Sequence, residues 1–190
     1  MKIADARAIY YQNRQQLCDN KKTLSAQKTA AENKFKETGD TKFQEEAATL
    51  TLSLQKTEDA FIKNQEVLDN IGEQWMSIAN MESAKQQGDA MAKEAEDLGK
   101  VITVFRRLAA GDIVPASDEK KLMEYDWKMY QMAKNMQAMA QNEERKKHKS
   151  LWEDEEVPET TDPIETANNA EVAVDLPDIE IPEVALTNLC

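Results

Sequence analysis

The sequence predicts an all-α protein built from long antiparallel helical hairpins, coiled-coil-like, followed by a disordered acidic C-terminal tail. A three- or four-helix bundle is the more compact form of the same class. Three observations carry this. Apolar residues recur at alternating spacings of four and three through most of residues 1–152. The breaks in that pattern are short, at Gly39 and from Gly111 to Pro115. The formal net charge of −12 resides in residues 153–190, which hold 12 acids, no Lys, Arg or His, and Pro158, Pro163, Pro177 and Pro182. Residues 1–152 carry 24 basic and 24 of the 36 acidic residues, so the chain reads as a neutral helical body, 1–152, and an acidic tail, 153–190.

The first helix is expected over about residues 3–36. Ile3, Tyr10, Leu17, Leu24 and Ala31 form a clean apolar column, but the second column is polar: Asn13, Asn20, Gln27, Lys34. One column is a weak seam, so this helix needs apolar cover from elsewhere. Gly39 suits a helix C-terminus, and Thr41 with Gln44 matches a capping box. A turn this short makes the next helix antiparallel, in a hairpin roughly 50 Å long at 1.5 Å per residue.

The second helix is expected over 42–109. Its columns are Phe43, Leu50, Thr57, Asn64, Ile71, Ile78 and Ala47, Leu54, Phe61, Leu68, Trp75. The phase slips at Trp75, Ile78, Met81 and Ala84, and Gly88 precedes Asp89. The sequence therefore leaves residues 79–90 open as straight, bent or broken. Beyond the slip the stripe passes through Ala84, Gly88, Met91, Ala95, Leu98, Ile102, Phe105 and Ala109, small enough near Gly88 for a partner backbone to approach closely.

Gly111 and Pro115 end that helix, and Ser117 is placed to cap a third over 118–149. Its stripe is Leu122, Tyr125, Met129, Met132, Met136 and Met139, expected to fold back on residues 81–109. Arg145, Lys146, Lys147 and Lys149 would then oppose the macrodipole in its last turns.

The tail's acids and prolines predict disorder in isolation. Residues 171–186 nevertheless contain Val172, Val174, Leu176, Ile179, Ile181, Val184 and Leu186. Solvation alone needs no such set, so this stretch is expected either to dock on a partner or merely to solubilise.

Little in the sequence points to chemistry. No Gly-rich phosphate loop occurs. Cys18 and Cys190 form neither a disulfide framework nor a metal spacing. His148, the single histidine, sits among basic residues and reads as a solvated surface group. Glu45–Glu46, Glu94–Glu96 and Asp118–Glu119 lack the Glu-x-x-His pattern of di-iron bundles and interleave with lysines. The methionine run fits a helix seam better than a thioether copper site. A neutral body with an acidic tail argues against nucleic acid, and no face combines a basic flank with a broad apolar stripe for a membrane surface. The N-terminus lacks the apolar stretch of a secretory signal, and the cysteine usage suits a reducing compartment, so the expected location is cytoplasmic.

The functional expectation is a non-catalytic adaptor, scaffold or assembly factor, with no cofactor, metal or small-molecule substrate. It would bind a helical protein partner, or self-associate, through Leu122, Tyr125, Met129, Met132, Met136 and Met139, or through the small-residue face near Gly88. A second partner would dock on Val174, Leu176, Ile179, Ile181, Val184 and Leu186. No motif matches a family well enough to name one. In outline alone the hairpin is similar to stalk and chaperone components of bacterial export machines. That gives one alternative, a secretion-associated chaperone or an exported substrate without a cleaved signal. The other is a metal-dependent enzyme in a helical bundle.

Overall fold

The computed structural model describes residues 1–140, 145–153 and 159–184. They form five helices, α1 (Ile3–Thr38), α2 (Thr41–Ala109), α3 (Ala116–Tyr125), α4 (Trp127–Met139) and α5 (Pro163–Asn169). No strand occurs among the described residues, and none of the helices is long and apolar enough to cross a membrane. The chain divides into two compact units, one of Met1–Glu82 with Thr161–Cys190, the other of Ser83–Thr160. The C-terminal segment is thus part of the first unit, where the sequence suggested a separate tail.

In the first unit α1 and the first part of α2 form the expected antiparallel hairpin. Arg7 lies over the Trp75 ring at 5.2 Å, Arg14 over Phe61 at 5.9 Å and Lys34 over Phe43 at 5.6 Å, so position rises along one helix as it falls along the other. Gly39 makes the turn at φ 69°, a left-handed conformation that suits glycine, and donates its N–H to the Phe35 carbonyl. The next helix is capped one residue earlier than the capping box implied. Asp40 Oδ1 accepts the Lys42 N–H at 3.0 Å, and Thr41 is already helical.

The clean column of α1 is buried at all five positions. Ile3, Ala6, Tyr10 and Leu17 pack with Val67, Leu68 and Ile71, each large side chain contributing about 1.5–3 kcal/mol of transfer free energy. Thr57 and Asn64 occupy seam positions of α2 and are fully buried. The Thr57 hydroxyl donates to its own helix at the Ser53 carbonyl, 2.8 Å. Asn64 Nδ2 donates across the hairpin to the Tyr10 carbonyl at 3.0 Å, while its Oδ1 has no partner among the described residues. A buried amide of this kind weakens a seam and fixes its register.

The apolar cover that α1 lacks comes from the C-terminal segment. For residues 159–184 the expected disorder gives way to a short helix and an extended strap laid along the hairpin. Asp162 caps α5, accepting the Ile164 N–H at 2.8 Å, with Pro163 in the first turn. Ala170 then accepts the Ile3 N–H at 2.9 Å, satisfying one of the donors that a helix N-terminus leaves open, and Val172 donates to the Met1 carbonyl at 3.0 Å. From 171 to 176 exposure alternates residue by residue, with Val172, Val174 and Leu176 turned inward. Ile179 is buried, 7% exposed, in the α1–α2 cluster, and Ile181 packs against it. Composition signalled disorder because it weighs a segment by itself. The free energy that orders this one lies in the half-bare groove of the hairpin.

α2 continues as helix through residues 79–90, so of the straight, bent and broken alternatives the break does not occur. The phase slip coincides instead with the passage from one unit to the other after Glu82. In the second unit Val101, Val104 and Leu108 of α2 enclose a core with Val114, Leu122 and Ala133. Gly111, at φ 91°, makes the turn after α2.

The helix expected over 118–149 is instead two helices, α3 and α4, and residues 145–149 are not helical. Asp126 has extended backbone angles and its Oδ1 accepts the N–H groups of Lys128 (2.8 Å) and Met129 (3.1 Å), so it stops one helix and starts the next. Ser117 is not a cap: α3 starts at Ala116, and the Ser117 hydroxyl donates to Asp118. Arg145–Lys149 do not sit in a last helical turn. Ile113 donates to the Lys146 carbonyl and accepts from the His148 N–H, tying residues 146–148 to the loop after α2.

Candidate interaction surfaces

Three surfaces emerge from these elements. The first is the groove between α1 and α2, which holds the strap. Helix side chains read the strap's main chain. Gln74 Nε2 donates to the Glu171 carbonyl (3.0 Å) while its Oε1 accepts the Ala173 N–H (3.1 Å). The Tyr10 hydroxyl donates to the Pro177 carbonyl at 2.6 Å, and Asn20 Nδ2 to the Pro182 carbonyl at 2.9 Å. Trp75 Nε1 donates to Asn168 Oδ1 at 2.8 Å. Burial, with the negative charge of Asp178, pushes the Tyr10 hydroxyl above the ordinary tyrosine range.

Of the tail residues expected to dock on a partner, Val174, Leu176, Ile179 and Ile181 pack on the chain's own hairpin, and Val184 is half-buried. Leu186 and Cys190 lie outside the described residues. The polar side chains of the groove were not legible as site residues. One signal pointed toward them: the polar column of α1 containing Asn20, which called for cover.

The second surface is on α2 in the second unit. Ala84, Gly88, Met91, Ala95 and Leu98 keep the four–three spacing, and all five are exposed, Met91 by 71%. Apart from its chain neighbours and the adjacent turns of its own helix backbone, no atom of the described residues lies within 4 Å of where a Cβ on Gly88 would stand. The third helix was expected to cover 81–109. α3 and α4 are too short for that, and the apolar packing involves residues 101–109.

The third surface is on α4. Met132, Met136 and Met139 fall on one stripe and are exposed, Met139 by 81%, and Tyr125 and Trp127 are exposed at the α3–α4 corner. The expected body site is therefore divided. Leu122 is fully buried in the core and so not available to a partner, and Met129, half-buried, packs against that core.

Against protein-family models, curated proteins and solved structures alike, the chain shows no match. Function must therefore be argued from its own surfaces.

Two polar groups, one buried and one half-buried, are occupied by structural work. Asp118, fully buried, accepts hydrogen bonds from the hydroxyls of Ser117 and Ser150 and from the Leu151 N–H at 3.0 Å. His148 is not the solvated group expected. Its Nε2 lies 2.8 Å from Asp112 Oδ2 and it is half-buried. That hydrogen bond, with the Lys146 N–H and the positive charges of both residues, holds the Asp112 carboxyl below its ordinary range although its desolvation acts the other way. Trp152 Nε1 donates to Asp97 at 3.1 Å under the Lys100 ammonium. Together these contacts fasten residues 145–153 to the second unit. Of the carboxylates weighed as metal ligands, Glu96 pairs with Lys100 and Glu119 with Lys134, both at 3.0 Å.

Proposed function

We propose that this protein is a non-catalytic, cytoplasmic interaction protein, an adaptor, scaffold or assembly factor, whose second unit binds a helix of another protein. The observation that carries the reading is the uncovered stripe Ala84, Gly88, Met91, Ala95, Leu98. Its spacing is that of a coiled-coil seam, and every position faces solvent. A heptad stripe without cover is a surface that a second helix completes, and Gly88 with its alanine neighbours lets the partner's backbone come close. The methionines of α4 form an adaptable second contact, since unbranched thioether side chains fit varied apolar surfaces.

The test uses the full-length chain carrying Met91→Lys and Leu98→Lys, both at exposed helical positions. Proteins co-purifying with wild type are identified, and the binary complex is rebuilt from purified components. The reading expects a partner whose affinity falls at least tenfold on the double substitution while helix content is unchanged. Equal binding by both chains would refute it. Sedimentation of the wild-type chain alone reads self-association as the other means of covering the stripe.

A further inference from the structure

We propose that the α1–α2 groove is a peptide-binding site for an extended, acidic segment of another protein with aliphatic residues at alternate positions, and that residues 170–184 occupy it in cis as a pseudo-ligand. This site lies in the first unit and does not rest on the coiled-coil reading above.

The recognition chemistry is that of peptide capture. Tyr10, Asn20 and Gln74 bond main-chain groups of Glu171, Ala173, Pro177 and Pro182, which a peptide of different sequence also presents. Specificity comes from inward positions, where Val172, Val174, Leu176, Ile179 and Ile181 meet the apolar seam.

The groove is also wider than its occupant. On the α2 side an open cleft of about 700 Å³ lies between Lys56, Asp59, Ala60 and Lys63 and strap residues 178–182. On the α1 side a second, of about 620 Å³, lies between Gln16, Asn20 and Thr23 and strap residues 181–184. Both clefts are open to solvent, so a bulkier side chain on an incoming segment can enter them. Lys56 and Lys63 line the first cleft opposite Asp178 and Glu180, two positive charges against the one negative charge of Asp59 on the helix side, so the helix face complements acids on the peptide.

A tethered strap competes at an effective concentration on the order of millimolar. An incoming segment prevails by filling the clefts, most directly with a larger apolar side chain at the position of Ile181.

The test is fluorescence anisotropy with three labelled peptides: residues 170–184, the same peptide with Ile179→Asp, and the same with Ile181→Phe. They are titrated into wild-type full-length chain and into full-length chain carrying Ile179→Asp, which weakens the strap and leaves the groove intact. The expected result is at least tenfold tighter binding of the 170–184 peptide by the variant chain than by wild type. The Ile179→Asp peptide should fail to bind, and the Ile181→Phe peptide should bind several-fold tighter than the parent. Should the variant chain lose helix content, a cleavage site placed at 154–158 of the wild-type chain replaces it. After cutting, the labelled peptide is expected to displace the C-terminal fragment while the remaining chain keeps its helix content. Failure of the peptide to bind any of these chains, or unfolding of the hairpin once the fragment leaves, would overturn the proposal. Concentration-dependent dimers of wild type that bind no peptide would also overturn it, assigning the groove to the strap of a second copy.

Discussion

Truncating Ile179 to alanine measures how strongly the strap is held. The side chain is 7% exposed and lies in the cluster formed with α1 and α2. Ile179→Ala removes three carbons, at about 0.8 kcal/mol for each buried methylene-sized group, or roughly 2 kcal/mol once the residual exposure is allowed for. A cavity term would add to this in a closed core. Here Ile179 borders an open cleft, so neighbours and solvent relax into the space and the transfer term dominates. The assay is native-state hydrogen exchange on the full-length chain, read at the Val172 and Ala173 amides, which bond the Met1 carbonyl and Gln74 Oε1. At about 1.4 kcal/mol per decade, a loss of roughly 2 kcal/mol accelerates local opening about 30-fold. Amides in the second unit should be unaffected. Exchange at Val172 and Ala173 changing less than threefold would refute the argument that apolar burial at Ile179 holds the strap.

Further expectations follow from the polar contacts. Asp118→Ala strands two hydroxyls and an amide donor in the second unit, and should cost about 3 kcal/mol by chemical denaturation, with Asp118→Asn less severe. Replacing Asn64 by Leu removes a buried amide whose Oδ1 has no partner among the described residues and should raise the unfolding free energy by about 1 kcal/mol, since a half-satisfied buried polar group is worse than an apolar one. A measured loss of stability would show the Tyr10 contact to outweigh that penalty. Asp112 is a depressed carboxylate, so its contribution is present above the ordinary aspartate value and is lost as pH falls through the lower folded value, below about pH 4. Carboxyl NMR titration should show the Asp112 midpoint rising when His148 is replaced by Ala. Tyr10 is raised, so its contribution is full below about pH 10 and lost as pH climbs through the higher folded value. Strap amides should lose protection in that alkaline window, and not in a Tyr10→Phe chain.

How far the sequence was legible depended on whether a signal was local. The buried column of α1 and the antiparallel hairpin could be read because a heptad column and a glycine turn are both contained in short windows. The break at Asp126 was hidden by continuity. Leu122, Tyr125 and Met129 keep helical spacing across it, although Asp126 is a good cap residue with two N–H groups ahead of it to bond. His148 could not be paired with Asp112 from spacing, since 36 positions separate them and only the loop after α2 brings them together. The strap is the most instructive case. Its aliphatic content and the polar column of α1 were each visible, and each implied a missing partner. That they answer one another is a long-range fact, carried by contacts between residues as distant as Asn20 and Pro182.

Residues 170–182 are built into the hairpin. A nuclear Overhauser spectrum of the full-length chain under native conditions tests this. The Tyr10 ring should show cross-peaks to Pro177 and Asp178, as the 2.6 Å bond from its hydroxyl to the Pro177 carbonyl requires. Random-coil shifts throughout 170–184, with no cross-peak from Tyr10, would contradict the account and return this segment to a free acidic tail.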